Sequence, residues 1–270
     1  MTKRILTITE SDTSGGSGLQ GDIKTITALG GYATSALVSL AVQNTCGVIE
    51  RTPVPTDFVL KQIRAVLDDI GTDAIKTAFL RDANLIDQVC DILDEVQNQG
   101  HVIVVDPSMV NRAGDCLMDT ETIATFKRRL VLRATVMTPN LQEAELLTGM
   151  DIHDIDDMKH AADMMRTLGA EAIVLKGGQC FSEKASYLVA AGDTEVVLET
   201  DMNDNRHSHG AGDLLASAIA TLMAEGKSVI DTVELALDFL NHSIEEGHDF
   251  GKGVGPVNHT YAIEQHRKQA

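Results

Sequence analysis

Apolar runs rich in β-branched residues alternate along this chain with segments of helical periodicity. The period-2 and continuous apolar stretches predict strands over 4–9, 32–39, 73–77, 102–106, 135–138 and 172–176, with a hairpin over 185–190 and 195–200. Between and after them the 3.6-residue pattern predicts helices over 18–29, 58–69, 84–97, 122–129, 141–147, 158–168, 211–224 and 229–246. Strand–helix alternation of this kind closes through right-handed crossovers into a mostly parallel sheet covered on both faces, so the expected fold class is α/β, a three-layer α/β/α sandwich. The stretch 31–55 is left over and is expected as a small β flap or an edge contribution. In an open parallel sheet the ligand crevice lies beyond the C-terminal strand ends, which directs attention to the loops after Ile8, Ile75, Val105, Met137 and Leu175.

Composition narrows the function classes. With 270 residues of which 43% are hydrophobic, the chain can bury one substantial core, and no linker, repeat or low-complexity tract divides it, so one domain over 1–270 is expected. A formal net charge of −18 argues against nucleic acid or an anionic membrane as partner, since both demand a basic footprint. Lys3 and Arg4 followed by Ile5 to Ile8 make too short an apolar stretch for a secretory leader or a membrane span. Cys46, Cys90, Cys116 and Cys180 show neither a disulfide framework nor zinc spacing, and a reducing cytoplasm is the expected compartment. The 158–168 helix is expected to cover the sheet.

Four segments carry chemistry. Ser11 to Asp22 is a glycine-rich turn between the first strand and the first helix, lacking both the dinucleotide G-x-G-x-x-G order and the Gly-Lys-Ser/Thr of a Walker A loop. Its glycines permit close backbone approach to a ligand; alone it also reads as a turn with a helix cap. Thr138-Pro139-Asn140-Leu141-Gln142-Glu143 ends a strand and starts a helix, with Asn140 and Glu143 at capping-box spacing or with Glu143 near a divalent metal. Lys176 closes an apolar strand before Gly177-Gly178, where an ammonium could neutralise phosphoryl oxygens or simply be solvated. His209-Gly210-Ala211-Gly212-Asp213 opens a long apolar helix. Successive uncovered N–H groups there suit an anion, and Asp213 is placed to accept a hydroxyl proton or to complement the helix dipole.

Taken together and in this order, these segments resemble the ribokinase superfamily, most closely its hydroxymethylpyrimidine/phosphomethylpyrimidine kinases and next its pyridoxal kinases. The resemblance rests on Ser14-Gly-Gly-Ser-Gly18, Gln43-Asn44-Thr45, Asp106-Pro107, Thr138-Pro-Asn140, Lys176-Gly-Gly178, Gly210-Ala-Gly-Asp213 and Gly253-Val-Gly-Pro256, and it covers nearly the whole chain. It implies a ribokinase-like fold, ATP and Mg²⁺ as cofactors, a small heteroaromatic alcohol as acceptor and a homodimer. By the same likeness Asp213 is the catalytic base, with Lys176, Gly210, Ala211 and Gly212 stabilising the transferring phosphoryl group. Glu10, Asp12, Gly18, Asp22, Gln43, Phe79 and Met109 line the acceptor. Asn140, Lys176, Ser208, His209, Gly210 and Gly212 hold ATP, while Asp106 and Glu143 organise magnesium. The segment 108–115 is the implied lid.

The departures from the family pattern are as informative. Asp213 stands where this branch usually carries cysteine, and a carboxylate accepts a proton at neutral pH without prior activation. Glu10 replaces a small residue at the end of the first strand, and Phe79 replaces a methionine after Lys76-Thr77-Ala78. Glu10 adds bulk and negative charge beside the acceptor, which predicts weak use of an already phosphorylated one. Lys76-Thr77 with the stretch from Thr200-Asp201-Met202 to Gly212 leans towards pyridoxal kinases, whereas Gln43-Asn44-Thr45-Cys46-Gly47 leans towards pyrimidine kinases. A binding-only sensor and a sugar kinase are the rival readings, the latter drawing on Gly210 to Asp213 alone.

Overall fold

The computed structural model describes residues 1–97, 99–178, 183–201, 207–261 and 263. Among them nine strands form one sheet: β1 (Arg4–Asp12), β2 (Tyr32–Asn44), β3 (Gly47–Pro53), β4 (Ala74–Thr77), β5 (Val102–Val105), β6 (Val136–Met137), β7 (Ala172–Gly178), β8 (Ala185–Ala191) and β9 (Thr194–Thr200). Their order is β3-β2-β1-β4-β5-β6-β7-β8-β9. The six strands from β2 to β7 run parallel, and antiparallel hairpins extend both edges. From β1 the chain turns one way to β2 and the other way to β4. Beside β1 the crossovers therefore diverge and leave a crevice at the C-terminal strand ends.

Both sheet faces are buried, which is why the central strands read as unbroken apolar runs. Successive side chains alternate faces. Leu6, Ile8, Ile75, Ile103 and Val105 pack under α2 (Thr56–Asp69), α3 (Ala83–Gln97) and α6 (Ile155–Thr167). Ile5, Val104 and Val174 pack against α1 (Gly18–Ala28), α7 (Ala211–Met223) and α8 (Val229–Glu245). Helix α7 is buried without a break from Leu214 to Leu222, which explains its lack of a polar face. Lys76 is the charged exception in β4; it points to the α1/α7 face and has no exposed surface.

Three segments depart from the sequence expectation. Strand β2 runs past Ser39 to Asn44 because β3 pairs with its far half, from Ser39↔Pro53 to Asn44↔Gly47. The stretch expected as a flap or edge is thus a hairpin continuing the sheet, with Asn44 Oδ1 accepting from the Cys46 N–H (2.8 Å) in its turn. The 122–129 helix begins earlier, as α4 (Thr120–Thr125) capped by Asp119, and passes into a π-helical turn over Phe126–Leu130. Helix α6 starts at Ile155, where Asp154 accepts from the Asp157 N–H; the acidic cap and first turn hide this start from apolar periodicity. Between α4 and α6 lies α5 (Leu141–Thr148). Cys180 and Met202 fall outside the described residues.

Candidate active site

The glycine-rich turn after β1 and the N-terminus of α7 are locked together. Gly210, the α7 N-cap, has φ +90°, and a Cβ there would lie 1.7 Å from the Gly16 carbonyl oxygen. No other residue fits that approach. The buried Asp12 carboxylate accepts from the N–H groups of Ser14 (2.7 Å) and Ser17 (2.8 Å), from both hydroxyls, and from His209 Nε2 (2.8 Å). Burial works against the Asp12 charge, but His209 and the two serines outweigh it and hold the carboxyl well below its usual range. Asp12 was expected at the acceptor; its oxygens are instead spent on shaping the turn and orienting His209. The Gln43 amide also reaches His209 Nε2 at 3.2 Å, and Pro256 bridges to His209, so two motifs distant in sequence meet at the mouth of the cradle.

Asp213 sits in the first turn of α7, where helix N–H groups lack intrahelical acceptors. Its Oδ2 accepts from the Gly18 N–H (3.1 Å) and its Oδ1 from Lys76 Nζ (2.7 Å). Burial pushes the Asp213 carboxyl up, yet the Lys76 ammonium and the Gly18 N–H prevail and keep it below the ordinary carboxylate value. Lys76 also donates to both oxygens of Asp22 (3.0 and 3.1 Å), which accepts further from Thr7 and from Ser217 Oγ (2.7 Å). Burial opposes the Lys76 charge, but Asp213 and Asp22 raise its pKa. Asp22 moves the other way from Asp213: burial drives its carboxyl up, Lys76 opposes this and the Asp213 charge adds to it. With no exposed surface and both oxygens occupied, Asp22 lies behind Lys76 and does not face the crevice as the sequence reading expected.

Across the cradle stands the second charged group. Lys176 Nζ lies 3.3 Å from Asp106 Oδ1. A Cβ on Gly212 would stand 3.7 Å from that ammonium and 4.0 Å from Asp106 Oδ2, so the first turn of α7 faces this pair with no side chain between. Asn140 and Glu143 form the capping box of α5: Glu143 N–H to Asn140 Oδ1 and Asn140 N–H to Glu143 Oε2, both 2.9 Å. Glu143 Oε1 accepts from the Met109 N–H (2.9 Å), which ties the 108–115 segment to the site. Burial pushes the Glu143 carboxyl up, against the pull of Lys176. Burial lowers the Lys176 pKa, and Asp106 and Glu143 raise it by more. Among the described residues no three metal-ligating side chains cluster. Mg²⁺ needs only one or two carboxylates besides phosphate and water, and Asp106 and Glu143 would be those carboxylates here.

The acceptor end is lined differently from expectation. Met109 has no exposed surface and belongs to the core under α3; its contribution here is its N–H. Ser108 has φ +48°, a strained turn for a non-glycine residue, and places its Oγ 3.4 Å from Asp106 Oδ2. The expected lid is a tight loop closed by the Val110↔Cys116 bridge and by Asn111 Oδ1 accepting from the Ala113 and Asp115 N–H groups. Glu10 does not carry uncompensated charge. Arg51, from β3, donates to it through Nε (2.9 Å) and Nη2 (3.2 Å) and lies over the Phe79 ring, 5.2 Å from its centroid. Sequence reasoning missed Lys76 and Arg51 as site residues. A lysine inside a four-residue buried strand was a usable signal for the first; nothing local marks the second.

An anion-binding helix N-terminus, a lysine–carboxylate pair facing it and an ionised aspartate in the same first turn, at the strand ends of this sheet, define a kinase of the ribokinase-like fold. The chain belongs to the phosphomethylpyrimidine kinase family, whose sequence model matches residues 12–258. It is 38% identical over 259 residues to the hydroxymethylpyrimidine/phosphomethylpyrimidine kinase of Streptomyces coelicolor, covering 96% of this chain and 95% of that one. An ADP complex of Bacillus subtilis pyridoxal kinase superposes with a TM-score of 0.88 at 33% identity, covering 98% of this chain and 100% of the other. The Staphylococcus aureus pyridoxal kinase in complex with AMP-PCP and pyridoxal gives 0.85 at 34% identity over 96% and 94%.

Proposed function

We propose that this protein transfers the γ-phosphoryl group of ATP to the hydroxymethyl group of 4-amino-5-hydroxymethyl-2-methylpyrimidine, and to its monophosphate, in thiamine biosynthesis. The observation that carries the reading is Asp213, ionised by its contact with Lys76 and set in the same helical turn as an uncovered glycine cradle. The name of the Streptomyces coelicolor relative supports the acceptor, and the nucleotide complexes of the pyridoxal kinases support ATP as donor.

In this reading the acceptor hydroxyl loses its proton to Asp213 Oδ as its oxygen attacks phosphorus in line. The N–H groups of Gly212 and Asp213 point along the helix axis at the charge that develops on the equatorial oxygens, where fixed dipoles need no reorganisation. Lys176 meets the same charge from the opposite side, and Asp106 orients its ammonium. Gly210 and Gly212 matter by lacking side chains: one lets α7 approach the glycine-rich turn, the other leaves room for phosphate against Lys176. His209, fixed by Asp12, and Asn140 with Ser208 border the nucleotide phosphates. Magnesium, when bound, supplies charge neutralisation on the phosphate oxygens, and Asp106 and Glu143 would hold it. Gly18 and Gln43 border the acceptor, while Asp22 acts through Lys76.

The likeness to the two pyridoxal kinase structures favours a second reading, phosphorylation of pyridoxal or pyridoxine in vitamin B6 salvage. ADP release with Mg-ATP and a panel of the pyrimidine alcohol, its monophosphate, pyridoxal, pyridoxine and ribose decides between them. Turnover of the pyrimidine alcohol above all others is the expected result. Preference for pyridoxal selects the second reading, and nucleotide binding without turnover of any acceptor makes the protein a sensor.

A further inference from the structure

We propose that the Glu10–Arg51 pair, seated on Phe79, selects the acceptor ring by its hydrogen-bonding edge. The inference rests on the proposed kinase reading, because it takes the acceptor to lie beside Asp213.

Six of the seven residues of β3 are exposed, and Arg51 alone is partly buried. Its guanidinium is the part of the hairpin that reaches Glu10 and Phe79. The pair is more than a surface contact: Glu10 and Arg51 side chains are 16% and 29% exposed, and Ser39 Oγ donates to the same Glu10 oxygen (3.2 Å). A part-buried ion pair is often no more stabilising than packed apolar residues of similar volume, which leaves room for a role beyond stability. The backbone of Glu10 links the pair to the base through Gly18. The Glu10 carbonyl oxygen packs on Gly18, where a Cβ would lie 2.5 Å from it, and the Gly18 N–H donates to Asp213. Phe79, beneath the guanidinium, follows β4, the strand that carries Lys76.

The pair retains capacity for a ligand. Two of the five guanidinium N–H groups go to Glu10, and the carboxylate has about four acceptor sites, of which Arg51 and Ser39 take three. Side by side they present an acceptor and a donor. An aminopyrimidine offers the complement, an exocyclic amine donor beside a ring-nitrogen acceptor. The corresponding edge of pyridoxal, with its phenol ionised, offers a phenolate oxygen and an aldehyde, two acceptors, which satisfy Arg51 but oppose Glu10. Because the pair is neutral overall, it also places no net negative charge against a phosphorylated acceptor.

The test is kcat/KM for the aminopyrimidine alcohol and for pyridoxal in wild-type enzyme, Glu10→Gln and Arg51→Gln. Removing the carboxylate charge should move the aminopyrimidine-to-pyridoxal ratio towards pyridoxal, and removing the guanidinium should move it the other way, each by about tenfold and chiefly through KM. A structural role for the pair cannot move the ratio in opposite directions. Should either single variant fail to fold, the double variant Glu10→Gln/Arg51→Gln replaces the ion pair by neutral amides and is expected to lose the wild-type preference. Ratios that stay within about twofold of wild type, or that move the same way in both single variants, overturn the inference alone. Wild-type enzyme that phosphorylates neither compound overturns the kinase assignment and the inference with it.

Discussion

Lys76 places its ammonium 2.7 Å from the Asp213 carboxylate while exposing none of its own surface. One cation thus serves two carboxylates, Asp213 facing the crevice and Asp22 behind; it pulls both down, but burial and the Asp213 charge still leave Asp22 raised. Asp213 is kept ionised, as the proposed proton acceptor must be, whereas Asp22 is the less readily ionised of the two. Replacing Lys76 by methionine should destabilise the protein by about 3–5 kcal/mol, since it leaves two carboxylates facing each other in a dry site. Thermal unfolding measures the loss. In the surviving fold the acid limb of the kcat profile should move to higher pH, because Asp213 loses the charge that holds it low.

Asp213→Asn keeps the size and the Gly18 contact but removes the proposed proton acceptor. We expect kcat to fall by about 10² to 10⁴, the range for a general base, with nucleotide affinity little changed. Calorimetric titration of the nucleotide beside steady-state rates separates the two quantities. Equal losses in both would make Asp213 a residue of the nucleotide or metal site.

Two glycines in one turn of α7 should fail in different ways. Gly210→Ala forces a side chain into the left-handed region and into the Gly16 carbonyl, so unfolding should occur at lower temperature, with strain of about 1–3 kcal/mol before any clash is counted. Gly212→Ala adds a methyl at ordinary contact distance from Lys176 and should fold as the native chain does. Its methyl occupies the space facing Lys176 and Asp106, so the KM for ATP should rise about tenfold or more. Equal melting temperatures for the two variants would contradict this account.

Glu143→Gln retains one acceptor oxygen for two backbone donors, Asn140 N–H and Met109 N–H, and turns an NH₂ towards the other. The expected destabilisation is about 1–3 kcal/mol for the unsatisfied buried donor. The loss of a carboxylate beside Asp106 should raise the magnesium concentration needed for half-maximal rate. A magnesium titration that matches wild type would confine Glu143 to capping α5.

Asp12 gives the protein an acid-sensitive element. Its folded-state pKa is depressed, so its contribution to stability is present above the unfolded carboxyl value, near about pH 4, and is lost as pH falls through the folded value. Melting curves of wild type and Asp12→Asn should therefore differ most at neutral pH, begin to approach each other below about pH 4 and meet only as pH falls through the folded value. A gap that persists under acid would assign the effect to the shape of the turn and not to its charge.

Periodicity and local motif chemistry settle what depends on near neighbours. Strand and helix alternation follows from burial on both sheet faces, the Asn140–Glu143 box closes within one turn, and Gly210 to Asp213 opens α7 as its composition predicts. These are legible because the partners are a few residues apart. The network that makes the site specific is of another kind: Lys76 meets Asp213 across 137 positions, His209 meets Asp12 across 197, and Arg51 meets Glu10 across 41. No local pattern records such pairs, since each depends on the strand order β3-β2-β1-β4 at this edge of the sheet and on the depth at which α7 lies against it. The sequence by itself determined the layers and the glycine-rich start of α7. Only the tertiary structure decided that Asp22 stands behind Lys76, that Asp12 shapes the turn, and that the charge of Glu10 is matched.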